Sequence, residues 1–269
     1  MAVHWRRVRS RLGFLLIGIR MQQMGPRVAN CSEQQPSIAT RLYNVRERIH
    51  KAALAAKRDP AQVRLVAVSK THPVSSIQEA FESGQRHFGE NYVQELIEKA
   101  QQLPQAIQWH FVGHLQTNKA RSLLSVRNLW CVETVDRPKL ADTLNRLAGE
   151  LRPPEDPLRV MVQVNVSGEE SKAGVAPAAA PELVDHVLKA CPQLQLLGLM
   201  TIGAPDPSPE PVAFRRLVEL RDQVQRTLAL SEPLELSMGM SDDFEAAVRM
   251  GSTNVRIGTT IFGPRSYVD

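Results

Sequence analysis

Cysteine is scarce in this 269-residue chain: there are three, at Cys31, Cys131 and Cys191. That number is too small, and odd, for a disulfide framework, and none sits in a CxxC or Cys–His spacing suited to zinc. A reducing compartment is the default expectation. No apolar run in the N-terminal region is long enough to cross a bilayer; residues 12–19 fall well short. Acidic residues are absent from the first 32 positions, which carry six arginines (Arg6, Arg7, Arg9, Arg11, Arg20 and Arg27). Subtracting these from the 33 basic residues leaves 27 against 28 acidic ones, a net of −1 for the remainder. The overall charge of +5 therefore belongs to the extension. No basic excess is left for the folded body to track a phosphate backbone, and nucleic acid loses its support as a partner. The GxGxxG, P-loop, HExxH and GxSxG signatures are also missing, so dinucleotide, ATP, zinc-protease and serine-hydrolase chemistry have no basis.

The extension, residues 1–36, is set apart from the fold. Its arginine-rich, acid-free composition fits an organelle transit peptide. Met21 and Met24 fit an equally open alternative, an overextended start. The expected compartment is cytoplasmic under the second reading and mitochondrial or plastid under the first. No membrane partner is expected.

The rest, residues 37–269, alternates two patterns. Residues 37–56 have apolar positions at helical spacing, with Ser37 placed to cap them. Short apolar, β-branched runs follow at 65–68, 87–89, 107–112, 129–135, 158–166, 194–202, 234–238 and 255–262. Helical patterns separate them at 74–83, 92–101, 139–149, 181–190, 213–228 and 242–250. Eight strand–helix units after one leading helix predict a single (β/α)8 barrel of the α/β class. The rival is an open doubly wound sheet, which lacks its glycine fingerprint here.

Barrel enzymes work at the carboxyl ends of their strands, and those ends are polar in this chain. Lys70 follows the first run, where a strand would deliver its amine to the barrel mouth. Such an amine can form a Schiff base with a carbonyl compound, although a lone strand-end lysine is more often simply solvated. Two later segments shift that balance: Ser237-Met238-Gly239-Met240-Ser241 and Arg256-Ile257-Gly258-Thr259. They place glycines and small hydroxyls after strands seven and eight, where barrels commonly hold phosphate. A phosphorylated carbonyl compound fits both ends. Pyridoxal 5′-phosphate has that form, and so does the sugar-phosphate substrate of a Schiff-base aldolase.

Several longer blocks carry a family resemblance: Val66-Ala67-Val68-Ser69-Lys70-Thr71, His87-Phe88-Gly89-Glu90-Asn91-Tyr92, Trp109-His110-Phe111-Val112-Gly113-His114 and Gly168-Glu169-Glu170-Ser171-Lys172. The segments 198–202, 236–243 and 251–263 extend it. Together they resemble the pyridoxal phosphate homeostasis protein family, over about residues 38–267. The resemblance implies a barrel like the N-terminal domain of alanine racemase, with pyridoxal 5′-phosphate as cofactor and Lys70 as its Schiff-base lysine. It further implies that Ser237, Gly258 and Thr259 hold the phosphate, with Gly239 and Met240 nearby, and that Arg256 faces the pyridine nitrogen. Asn91, His114, Asn165 and Met200 would line the ring, and Lys172 matches a lysine linked to cofactor exchange. His72 departs from the family pattern, which often has a second lysine there, and that puts an exchange role for this position in doubt.

The implied role is intracellular buffering and delivery of the coenzyme, with transient apo-enzyme partners and no robust catalysis. An arginine at the pyridine nitrogen disfavours protonation and weakens the ring as an electron sink. Racemisation also needs a second acid/base on the opposite face of the substrate. The tyrosines are Tyr43, Tyr92 and Tyr267 alone, no further domain remains to supply another, and His114 reads better as a hydrogen-bonded mouth residue. An amino-acid racemase-like enzyme is the alternative. Among other polar residues, His110 reads as structural, while Glu90 and Glu133 read as partners for a neighbouring cation.

Overall fold

A computed structural model describes Met1 and residues 36–169, 172–203, 206 and 208–264. The extension assigned to residues 1–36 lies outside the described residues, apart from its two end positions. From Pro36 onward the chain forms one compact unit.

The leading helix α1 (Ile38–Ala55) starts where its sequence dictates. The Ser37 hydroxyl accepts the Thr40 N–H at 3.2 Å, satisfying one of the donors that the first turn leaves open. Its apolar stripe of Leu42, Val45 and Ile49 is buried, each such side chain contributing roughly 1.5–3 kcal/mol.

Eight parallel strands then close into a barrel in sequence order: β1 (Arg64–Val68), β2 (His87–Glu90), β3 (Gln108–Phe111), β4 (Leu129–Val135), β5 (Leu158–Gln163), β6 (Leu194–Met200), β7 (Glu235–Ser237) and β8 (Asn254–Ile257). The closing pair is β8 on β1, with Val66 opposite Arg256. The surrounding helices are α2 (Val74–Glu82), α3 (Val93–Gln102), α4 (Ala120–Leu124), α5 (Pro138–Leu151), α6 (Ala180–Ala190), α7 (Val212–Thr227), α8 (Phe244–Arg249) and α9 (Thr259–Phe262).

Strand alternation divides the side chains between two environments. Ala67, Phe88, Trp109, Val160, Leu236 and Val255 join the large apolar layer between strands and helices. The opposite faces meet inside the barrel. There the apolar cluster is small, built on Cys131, Met161 and Met200, and much of the interior is polar. Glu133 on β4 reaches Ser237 on β7 and Asn254 on β8, strands that do not neighbour β4, so these contacts cross the barrel axis.

Three differences from the sequence expectation have local causes. Helix α4 has five residues, too few to show a helical period. The β-branched run 255–262 splits at Gly258 into β8 and the short α9. The run 158–166 ends as a strand at Gln163; Val164 still donates its N–H to the Met200 carbonyl at 2.8 Å and forms an isolated bridge to Val175.

Close strand approach requires glycine at Gly198, where an added Cβ would lie 2.0 Å from the Glu235 carbonyl oxygen. Neither backbone can yield without breaking the ladder between β6 and β7. Gly198→Ala is expected to lower stability by about 3 kcal/mol, as overpacking against fixed atoms does. Urea denaturation checks this; an unchanged midpoint would show that the two strands can separate there.

Candidate functional site

The carboxyl ends of the strands enclose a cavity of about 270 Å³, near the lower end of the roughly 300–1,000 Å³ usual for small-molecule sites. Val68, Val112 and Ile202 give it apolar walls. Lys70 and Asn91 line it from the β1 and β2 side, and Ser241, Gly258 and Thr259 from the β7 and β8 side. Arg256, Met240, Asp242 and His72 complete the lining. The His72 ring packs against Phe262 with centroids 5.1 Å apart.

The cavity shows where a polar ligand would be held. Asn91 Oδ1 is buried without a hydrogen-bond partner, an arrangement that is costly unless a ligand or water completes it. Gly258 brings its backbone close to β1, and an added Cβ would sit 3.1 Å from the Val68 carbonyl oxygen. Beside it the Ser241 hydroxyl accepts the Thr260 N–H at 3.4 Å. Glycine backbone and two small hydroxyls, those of Ser241 and Thr259, therefore face an amine across one small space. That donor set fits a phosphorylated aldehyde.

Arg256 is almost fully buried. Its Nη1 donates to the Ser237 hydroxyl and its Nη2 to the Thr201 carbonyl at 2.8 Å. Burial lowers its pKa, against the pull of Glu133 and Asp243, but a guanidinium stays protonated regardless.

Behind it lies Glu133, with no exposed surface. Its Oε2 accepts the Ser237 hydroxyl at 2.6 Å and lies 3.9 Å from Arg256 Nη1. Its Oε1 is 2.6 Å from His110 Nδ1 and 3.2 Å from Asn254 Nδ2. Burial alone would raise the carboxyl, but the His110 hydrogen bond, the Arg256 charge and the Ser237 hydroxyl outweigh it and hold it at about 2. Burial pushes His110 down, more than Glu133 pulls it up. The neutral ring thus donates Nδ1–H to the carboxylate and accepts from His87 Nδ1 at 2.9 Å through Nε2. Burial, with repulsion from the Arg64 guanidinium, lowers His87 to about 3.

The residues named from sequence divide on this geometry. Lys70, Asn91, Met240, Arg256, Gly258 and Thr259 line the one cavity. Ser237 is fully buried beneath it, spent on Glu133 and Arg256. Gly239, at φ 98°, shapes the loop, and its carbonyl accepts the Arg256 N–H at 3.0 Å. Met200 packs inside the barrel with Cys131 and Met161. His114 lines a separate groove, with Nδ1 3.6 Å from Asp136 Oδ2. Asn165 braces its own loop by donating to the Glu169 and Lys172 carbonyls. Lys172 pairs with Glu169 at 3.0 Å.

Sequence reasoning missed Ser241, Asp242 and the wall residues Val68, Val112 and Ile202. The signal for Ser241 was present in the Ser-Met-Gly-Met-Ser segment. Ser237 still belongs to β7 and points inward, so only the second serine lies beyond the strand end.

The sequence profile of the family described as alanine racemase, N-terminal domain, matches residues 41–266. The pyridoxal phosphate homeostasis protein of Mus musculus is 48% identical over 241 residues, covering 84% of this chain and 86% of the relative. The chain belongs to the pyridoxal phosphate homeostasis protein family. The homeostasis protein of Haemophilus influenzae is 43% identical, covering 86% and 97% of the two chains. PipY of Synechococcus elongatus, solved with PLP bound, is 35% identical with a TM-score of 0.71, covering 84% of this chain and all of PipY. Alanine racemase of Corynebacterium glutamicum, at 16% identity and a TM-score of 0.60, shares the fold over 84% of this chain and 62% of its own.

For a member of this homeostasis family, the buried histidines predict an acid sensitivity with a defined sign. Unfolded, His87 takes up a proton below about 6.5; folded, it resists protonation down to about 3. The unfolded state thus binds more protons across that window, and stability falls as pH falls through it. The urea midpoint is expected to drop from pH 6.5 to about 5.5, before ordinary carboxylates titrate, and His87→Gln should reduce that slope. Equal slopes for both proteins would show that His87 titrates normally when folded.

Proposed function

We propose that this chain binds pyridoxal 5′-phosphate reversibly through Lys70 and buffers or delivers it, without robust catalysis of its own. The observation that carries the reading is one cavity holding Lys70, the Ser241, Gly258 and Thr259 cluster, and the Arg256 guanidinium. When bound, the coenzyme supplies an aldehyde that condenses with amines and a ring able to draw electrons from them. Lys70 would take the aldehyde carbon. Gly258, Thr259 and Ser241 would hold the phosphate, and Arg256 would meet the pyridine nitrogen. The PLP-bound state of PipY, a relative at 35% identity, supports the assignment of the ligand.

Arg256 supports the carrier over the catalyst. Its N–H groups can donate to a ring nitrogen but cannot give it a full positive charge, so electron withdrawal by the ring stays weak. The carboxylate that would favour protonation, Glu133, lies beneath Arg256 and is consumed by His110, Ser237 and Asn254. Tyr43 and Tyr92 are both exposed and line no part of the cavity. His114 stands outside the cavity wall. Tyr267 lies outside the described residues; among the described ones, the racemase-like alternative would have to rely on His72 or Asp242 as second acid/base.

Delivery implies transient contact with recipient apo-enzymes. Tyr92, Ile202 and Met240 are exposed apolar side chains at the strand ends, which supports docking over the mouth. Among the described residues no helix is long and apolar enough to cross a membrane. The compartment follows the extension: cytoplasmic with an overextended start, mitochondrial or plastid with a transit peptide.

Two measurements test this reading. Purified protein should retain coenzyme absorbance through dialysis, and Lys70→Ala should lose it. Thr259→Val should weaken retention about tenfold to a hundredfold, because a hydrogen bond to a charged group is worth roughly 1.5–3 kcal/mol. Unchanged retention would place the phosphate elsewhere. Second, the loaded protein is expected to incorporate no deuterium at the α-carbon of D- or L-amino acids above background. Exchange that disappears in Lys70→Ala would instead make the chain an enzyme.

A further inference from the structure

Among the described residues three non-glycine residues have positive φ, and only Thr71, at 64°, is β-branched. A β-branched residue in that region is strained and persists only where its surroundings over-determine it. It directly follows Lys70. The chain around it is gripped from both sides. Ser69 N–H donates to the Gly89 carbonyl at 2.9 Å, and the Ser69 hydroxyl to Glu90 Oε1 at 2.7 Å. The Ser69 carbonyl accepts His72 N–H at 3.0 Å and Lys99 Nζ at 2.8 Å. Thr71 N–H donates to Glu95 Oε1 at 2.6 Å.

Two of these groups come from α3, where Glu95 and Lys99 stand four residues apart on one face. Lys99 is almost fully buried, and its ammonium also donates to Glu90 at 2.7 Å and Glu95 at 2.6 Å. All three ammonium hydrogens are thus used, with none left for solvent. A buried lysine on the outer side of the strands, bonded to the residue before Lys70 and to the carboxylate that holds the residue after it, is more than a bridge between helix and barrel. It fixes the direction in which the Lys70 side chain leaves the backbone.

We propose that Glu95 and Lys99 are positioning residues for Lys70: they clamp the Ser69–Thr71 turn in its strained form so that the amine meets the cavity. The proposal rests on the reading of Lys70 as the cofactor lysine. Neither residue touches the cavity, so each acts through the turn. The clamp accounts for a turn that no glycine provides, and for a costly buried charge cluster that shares no residue with the Arg256 network. A strained turn held by removable contacts presents its amine in one orientation and captures the aldehyde faster than a relaxed one.

The experiment compares Glu95→Ala, Glu95→Gln and Ala100→Gly in full-length protein. Glutamine keeps an oxygen that accepts Thr71 N–H, whereas Ala100→Gly weakens the same helix without touching the turn. Hydrogen exchange at Thr71 is measured without coenzyme, and the rate of pyridoxal 5′-phosphate capture by absorbance. Borohydride reduction and peptide mapping locate the label. Glu95→Ala is expected to speed Thr71 exchange and slow capture at Lys70 by about tenfold or more. Glu95→Gln should restore both, and Ala100→Gly should leave both at the native level. Native capture by Glu95→Ala, or equal slowing by Ala100→Gly, would overturn the positioning role. If the native protein is not labelled at Lys70, the cofactor reading fails, while the exchange data still report whether Glu95 holds the turn.

Discussion

The interior of this barrel depends on one buried carboxylate. Glu133 accepts from His110, Ser237 and Asn254 and faces Arg256, so it joins β3, β4, β7 and β8 across the axis. A carboxylate without solvent is tolerable only when its lone pairs are filled and a cation is near. Both conditions are met here. A barrel of this type ordinarily fills its centre with layers of branched apolar side chains; this one keeps a small sulfur-rich cluster of Cys131, Met161 and Met200 and gives the rest to a polar network. Such a network is unforgiving. Removing one partner of a buried pair leaves an uncompensated charge, which costs far more than the pair contributes.

The same carboxylate sets the character of the mouth. Arg256 reaches the cavity from β8, but its orientation comes from below, through Ser237, the Thr201 carbonyl and the Glu133 charge. Ser237 therefore serves the site indirectly, by fixing the cation, while Ser241 and Thr259 present hydroxyls to the cavity itself. A guanidinium held this way keeps its proton and its charge.

Beneath the network the stack continues to the opposite end of the barrel. His87 and His110 pack against Trp130, whose ring also carries the Arg64 guanidinium at 4.4 Å. Arg64 in turn bonds both Glu235 oxygens. Charge alternates along this path, with the histidines kept neutral by burial. The second buried charge cluster, Lys99 with Glu90 and Glu95, stands outside the strands and braces the Lys70 turn. One cluster thus secures each end of the cavity.

The sequence by itself determined the fold class, because strand and helix periods are local and eight alternations leave few closed arrangements. It also singled out Lys70, Arg256, Gly258 and Thr259, which line the one cavity: strand ends are legible from the run that precedes them, and barrel function gathers at those ends. Motif resemblance added Asn91 and Met240, which line the cavity. What it did not determine was depth along the axis. Ser237 and Ser241 are equivalent as letters, yet one is the last residue of β7 and faces inward while the other lies past the strand. Met200 is likewise a strand terminus, turned to the interior, and His114 and Asn165 line grooves other than this cavity. The hydrogen-bond partners of Glu133 lie 23 to 121 positions from it in the chain, and Lys99 meets Ser69 across 30. Local pattern carries no information about such pairs. Only closure of the barrel brings them within hydrogen-bond distance, and that closure decided which polar residues hold the structure and which remain available to a ligand.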